Sequence, residues 1–163
     1  MRFYKTDKWV TYTSEDHEMN NLWEEWDKEY AKYFDVIKDK LPKGFIKLYY
    51  SNYGFHDFII SNISVQNKWP NKIRIDIELH SDYPMAKKGG KVISLTYRGV
   101  NHYSMVAPEG KQWSSKNMQW LTSEFYLHDN GLWSHRIMCD GNCELVVFFK
   151  NISIKKIQRQ SNS

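Results

Sequence analysis

Cys139 and Cys143, four positions apart, and the adjacent pair His56-Asp57 come nearest to a reactive constellation in this 163-residue chain. Two thiols are too few for a structural zinc site. They can instead form a cross-strand disulfide, a redox switch or, as the reading preferred here, a reduced pair at a hairpin end, because adjacent-strand geometry strains the bond. An adjacent His and Asp can share a proton or a metal ion, so a hydrolase site at His56 and Asp57 is the alternative polar site. The simpler reading has Asp57 fix the start of a strand through hydrogen bonds. Five of the six histidines (His56, His80, His102, His128, His135) lie in or beside strand-like sequence, without the short spacing of a ligand motif. No Gly-x-Ser-x-Gly and no cysteine in an activating context is present. Lys87-Lys88-Gly89-Gly90-Lys91 lacks phosphate-loop spacing. No catalytic residue, no metal and no cofactor is expected from these patterns.

The elements that would hold these residues are clearer. Lys72 to His80 alternates strictly, with Ile73, Ile75, Ile77 and Leu79 separated by charged or ionisable residues. Side chains alternate faces along a strand, so this segment has a dry face and a wet face, as in an antiparallel sheet covered on one side. Ahead of it, Met19, Leu22, Trp23, Trp26, Tyr30, Tyr33, Phe34, Ile37 and Leu41 recur at helical spacing. A long helix is predicted over 13–41, capped by Thr13 or Ser14 and stopped by Pro42 and Gly44. It is preceded by a lead-in over 1–12, and Pro42 to Tyr50 adds one short helical segment. Strands are predicted at Phe58–Val65, Ile73–His80, Val92–Val106, Leu121–His128, Leu132–Cys139, Leu145–Phe149 and Ile152–Lys155. Gly99 marks a bulge or bend in the third. The fold class expected is α+β: a single domain over 1–163, with the amphipathic helix packed on one face of a largely antiparallel, meander-like sheet of six to seven strands over 55–155. A basic, flexible tail is expected over 156–163.

Face logic also sets two hairpins. A three-residue Asp129-Asn130-Gly131 loop pairs Leu127 with Trp133, Phe125 with His135 and Glu124 with Arg136. A three-residue Asp140-Gly141-Asn142 loop pairs Ile137 with Leu145 and Trp133 with Phe149, and sets Cys139 across from Cys143. In this register His128 and His135 fall on opposite faces, and His135 is a partly buried core residue.

The net charge of +4 is mild, but it is unevenly spread. Ser14 to Tyr30 holds seven acids and one base, whereas Lys150, Lys155, Lys156 and Arg159 stand near the C-terminus without an acid. No apolar run is long enough for a transmembrane helix, and the first residues lack an apolar signal region, so a cytoplasmic protein with no membrane contact is expected. Aromatic residues make up 16% of the chain, enough to supply contact surfaces as well as a core. A nucleic-acid face would use Arg74, Lys87, Lys88, Lys91 and Arg98 with Tyr97 and Tyr103 for stacking, although Asp76 and Glu78 stand between the bases.

The order of features from Leu41 to Ile154 resembles small bacterial proteins of unknown function, some of which look like immunity proteins of polymorphic toxin systems. The similarity is carried by Leu41-Pro42, Phe55-His56-Asp57-Phe58-Ile59-Ile60, Leu95-Thr96-Tyr97-Arg98-Gly99-Val100, Trp120-Leu121 with Glu124, and the hairpin through Asp140-Gly141-Asn142-Cys143-Glu144 into Val147-Phe148-Phe149. The resemblance implies a non-enzymatic binding protein that neutralises a cognate toxin, or another protein partner, by covering its active site. Glu24, Glu25 and Glu29 on the helix would steer a basic partner, and Trp113 and Trp120 would anchor the contact. The competing expectation is a nucleic-acid or small-ligand binding domain that uses the wet sheet face.

Overall fold

The structure is a computed structural model that describes residues 17–68, 72–81, 92–107, 118–140 and 143–157. The amphipathic stripe forms helix α1 (His17–Ile37), which tightens into a 3-10 turn over Lys38–Lys40. Leu41 is then extended at φ −86° and ψ 154°, the conformation that a following proline imposes. Helix α2 (Lys43–Tyr50) fills the predicted short segment. The proposed cap residues Thr13 and Ser14 and the lead-in lie outside the described residues.

The strands are β1 (Phe58–Lys68), β2 (Lys72–Ser81), β3 (Val92–Val100), β4 (His102–Val106), β5 (Trp120–Leu127), β6 (Trp133–Cys139), β7 (Cys143–Phe149) and β8 (Asn151–Ile157). The α+β class holds, but the strands make two four-stranded antiparallel sheets instead of one meander. Their orders are β1-β2-β3-β8 and β4-β7-β6-β5. The division follows from Gly99. The segment predicted as one strand over Val92–Val106 turns a corner there, at φ +63°, and passes from the first sheet into the second. A Cβ at this position would lie 3.1 Å from the Lys150 Cβ. The segment paired with it bends at the same place, so that β7 runs on into β8. Lys150 N–H donates to the Arg98 carbonyl and Asn101 N–H to the Phe148 carbonyl, which keeps the two segments joined across the bend. Strands that switch sheets in this way make the corners of orthogonally packed sheets.

On the opposite side, Ile59 bridges Gln119, Asp57 N–H donates to the Trp120 carbonyl and Ile60 N–H to the Met118 carbonyl. Backbone pairing therefore runs from β1 through the corner and round to β5. Both predicted hairpin registers are present, including Leu127 with Trp133, Phe125 with His135, Ile137 with Leu145 and Cys139 with Cys143. Strand β8 continues to Ile157, so Lys156 belongs to the sheet and not to the tail.

One core joins both inner sheet faces and both helices. Ile75, Ile77 and Leu79 are fully buried, as the alternation predicts, and meet Leu95, Tyr97, Ile137, Leu145, Val147 and Phe149 in a single cluster. From the helices come Trp26, Tyr30, Phe34, Ile37 and Phe45. Each such side chain contributes about 1.5–3 kcal/mol through burial. Helix α1 also seals the outer edge of β5: the Tyr30 hydroxyl accepts the Phe125 N–H at 2.7 Å and the Tyr33 hydroxyl accepts the Leu127 N–H at 3.0 Å.

Candidate functional site

The second sheet has two unlike faces because its side chains alternate. Phe125, Trp133, His135, Ile137, Leu145, Val147 and Phe149 point into the core. Their neighbours point outward and line a cleft of about 420 Å³ formed by Glu124, Tyr126 and His128 from β5 and its end, Ser134 and Arg136 from β6, Glu144, Val146 and Phe148 from β7, and Ser104 from β4. Register arranges them in rows across the strands. Glu124 stands opposite Arg136, which stands opposite Val146, which stands opposite Ser104. The next row is Tyr126, Ser134, Phe148 and His102.

The first row is ionic. Arg136 donates through Nε to Glu144 Oε1 at 3.0 Å, and its Nη2 lies 2.8 Å from the same oxygen. Glu124, only 4% exposed, adds a second carboxylate among the described lining residues. The second row is aromatic. The His128 ring lies 4.8 Å from Tyr126 and 5.4 Å from Phe148, and His102 flanks Phe148 at 5.6 Å. Tyr33 of α1 stacks on Tyr126 at 5.4 Å with 13° between planes, which ties the helix to the rim of the cleft.

His128 Nε2 and Ser134 Oγ are 3.0 Å apart, within reach for proton transfer between a base and a nucleophile. The surroundings do not complete an acyl-transfer site. Ser134 sits on β6, which is paired on both sides by β5 and β7, so its ladder N–H groups are committed to neighbouring strands. An oxyanion needs donors aimed at it. The described lining instead offers carboxylates, a guanidinium already paired with Glu144, and ring faces.

The structure sorts the residues singled out from sequence. Glu24, Glu25 and Glu29 are exposed on α1, and Glu24 pairs with Lys28 at 3.5 Å. Glu25, Glu29 and Tyr33 follow at four-residue steps, so the two acids lead along one helix face toward the tyrosine at the cleft. Trp120 is not a contact anchor: its side chain is fully buried and packs on Phe55 at 5.5 Å, because β5 turns it inward at the junction of the two sheets. Trp113 lies outside the described residues, as do Lys87, Lys88 and Lys91. Tyr97, expected to stack on bases, is also fully buried. Arg74 is committed to Asp76, to which Thr96 also donates. Burial alone would raise the Asp76 pKa; the hydrogen bonds from Arg74 and Thr96 overcome it and hold the carboxyl below its ordinary value. On the wet face of the first sheet Arg74, Asp76 and Thr96 thus form a mixed-charge network.

His56 Nδ1 lies 3.0 Å from Asp57 Oδ2, with both side chains substantially exposed. Gln119 Nε2 donates to Asp57 Oδ1 at 2.8 Å, and the Asp57 N–H holds the Trp120 carbonyl, so Asp57 fastens the start of β1 to β5. Tyr53, Phe55 and Asp57 all have positive φ, so this turn is a strained connection held by those bonds. Among the described residues no cluster of three or more His, Cys, Asp or Glu could hold a metal ion. No helix among them is long and apolar enough to cross a membrane. Cys139 and Cys143 are both buried and form no disulfide; burial first, then the neighbouring Cys143 and Asp140, pushes the Cys139 thiol up to about 12. It is therefore a packing group and not a nucleophile.

Most of the cleft was missed from sequence. The pairing of Glu124 with Arg136 followed from the hairpin register, but nothing in the chain announced that β4 would join β7 and complete the row.

Residues 4–147 match a family of proteins of unknown function, DUF4085, and the chain belongs to that family. No curated protein and no solved structure matches it.

Proposed function

We propose that this member of the DUF4085 family is a non-enzymatic binding protein that seats a cationic group of a protein partner in the outer cleft of the second sheet. The observation that supports it most is the cleft itself, in which Glu124 and Glu144 flank Arg136 beside the rings of Tyr126, His128 and Phe148. A partner's lysine or arginine finds there two carboxylates and aromatic faces for cation–π contact. Glu25 and Glu29 on α1 extend the negative field outward and speed encounter with a basic surface.

An arginine-rich peptide titrated into the full chain by calorimetry and NMR tests the reading. Saturable binding that perturbs Tyr126 and Phe148 and weakens about tenfold in Glu124→Gln is expected. Phe148→Ala supplies a second variant that leaves the charges in place. Binding that is unchanged in both variants, or no binding, would overturn it. In its specific form the partner is a basic toxin whose active site this face covers, a role suggested by the resemblance to small bacterial proteins of unknown function, some of which look like immunity proteins. Co-purification with the product of the neighbouring upstream gene tests that form, and failure to bind or protect against that product would remove it.

A further inference from the structure

A sheet edge with free N–H and C=O groups invites another strand, and three of the four edges here are guarded by recognisable devices. Strand β5 is sealed by the Tyr30 and Tyr33 hydroxyls. Strand β1 breaks register between Ile60 and Asn62 and exposes Gln66 and Asn67. Strand β8 carries Lys155 and Lys156 and packs against α2. Among the described residues strand β4 has none of these protections. It pairs with β7 on one side, no described strand pairs with its other side, and His-Tyr-Ser-Met-Val contains no charged residue, proline, glycine or bulge. Tyr103, Met105 and Val106 are 38%, 40% and 53% exposed.

The strand is also complementary to itself. Tyr103 and Met105 lie beside Val147 and Leu145, both fully buried, so they continue the inner apolar row past the edge of the sheet. An antiparallel copy related by a two-fold axis through Ser104 sets Tyr103 opposite Met105 of the second copy, and His102 opposite Val106. Each apolar residue then meets an apolar or aromatic one, with sulfur against ring at the inner face. A two-fold contact of this kind is isologous and closes at two chains. We infer that β4 is a homodimer interface, through which two copies join their second sheets edge to edge into one eight-stranded sheet.

Sedimentation equilibrium of the full chain up to about millimolar concentration tests this. A monomer–dimer equilibrium is expected, weakened at least about tenfold by Met105→Lys, which places a charge across from Tyr103 at a position already exposed to solvent. An unchanged thermal melt at low concentration shows that the variant folds. Register is tested separately: Ser104→Cys meets its own copy and is linked by a short bismaleimide, whereas His102→Cys meets Val106 and is not. A chain that stays monomeric overturns the inference. So does a dimer indifferent to Met105→Lys, or one in which both cysteine variants link equally.

Discussion

His135 gives the core a pH dependence that can be worked out from its contacts. The side chain is fully buried, stacked on Phe125 with ring centroids 3.7 Å apart, and its Nδ1 lies 2.7 Å from the Tyr97 hydroxyl. Burial holds the Tyr97 hydroxyl well above its ordinary pKa, so it stays protonated and can hydrogen-bond to Nδ1 in either neutral tautomer of the ring. The other ring nitrogen, Nε2, has no partner among the described residues. Protonating this imidazole would place a charge in an apolar core, and burial accordingly holds its pKa well below 6.5. The unfolded chain takes up a proton near pH 6.5 that the folded chain refuses. Stability is therefore full above about pH 6.5 and falls as pH drops below it, by about 1.4 kcal/mol per pH unit until the folded value is reached. Urea denaturation at steps between pH 7.5 and about 5 measures the slope. His135→Gln keeps a polar partner for Tyr97 but does not titrate, so its curve should lose that slope whatever its absolute stability. The carboxylates are common to both proteins and cancel in the comparison. Parallel curves for the two proteins over this range would refute the reasoning.

Other perturbations separate structural from surface roles. Trp120→Ala should cost about 3–5 kcal/mol in denaturant melts, whereas Glu25→Gln and Glu29→Gln should change stability by less than about 0.5 kcal/mol. Gly99→Ala forces a side chain into a positive-φ corner against Lys150 and should cost about 1–3 kcal/mol by the same assay. Tyr30→Phe leaves the buried Phe125 N–H without its acceptor; a loss of about 1–3 kcal/mol is expected, with faster amide exchange at Phe125. Cys139 and Cys143 should resist a thiol reagent in the native state and react fully in denaturant; rapid labelling of the folded chain would contradict their burial.

Much of the fold was legible because period-two and period-3.6 patterns report burial directly. The Lys72–His80 alternation predicted that Ile75, Ile77 and Leu79 would be buried, and polarity alone chose the registers that set Cys139 against Cys143. The number of sheets was not legible. Both halves of Val92–Val106 have strand-like sequence, and only the positive φ of Gly99, set against the bend at Lys150, sends them into different sheets. Trp120 shows the same limit. A tryptophan beside a polar loop suits a surface anchor or a core plug equally well in sequence, and the Asp57 and Gln119 contacts that turn it inward join segments about sixty residues apart.

The chain by itself determined which residues alternate, which helix face is apolar, where the hairpins turn and that the early acids stand apart from the late bases. These are properties of neighbours along the backbone, governed by side-chain direction and solvation. Tertiary structure alone decided that Ser104, Glu124, Arg136 and Phe148 share one cleft, that Tyr33 joins α1 to its rim, and that β4 has no described strand on its outer side. Those outcomes depend on which strands become neighbours after the chain turns its corner at Gly99. That choice is made by the whole core at once, because the inner faces of both sheets and both helices are buried in one cluster.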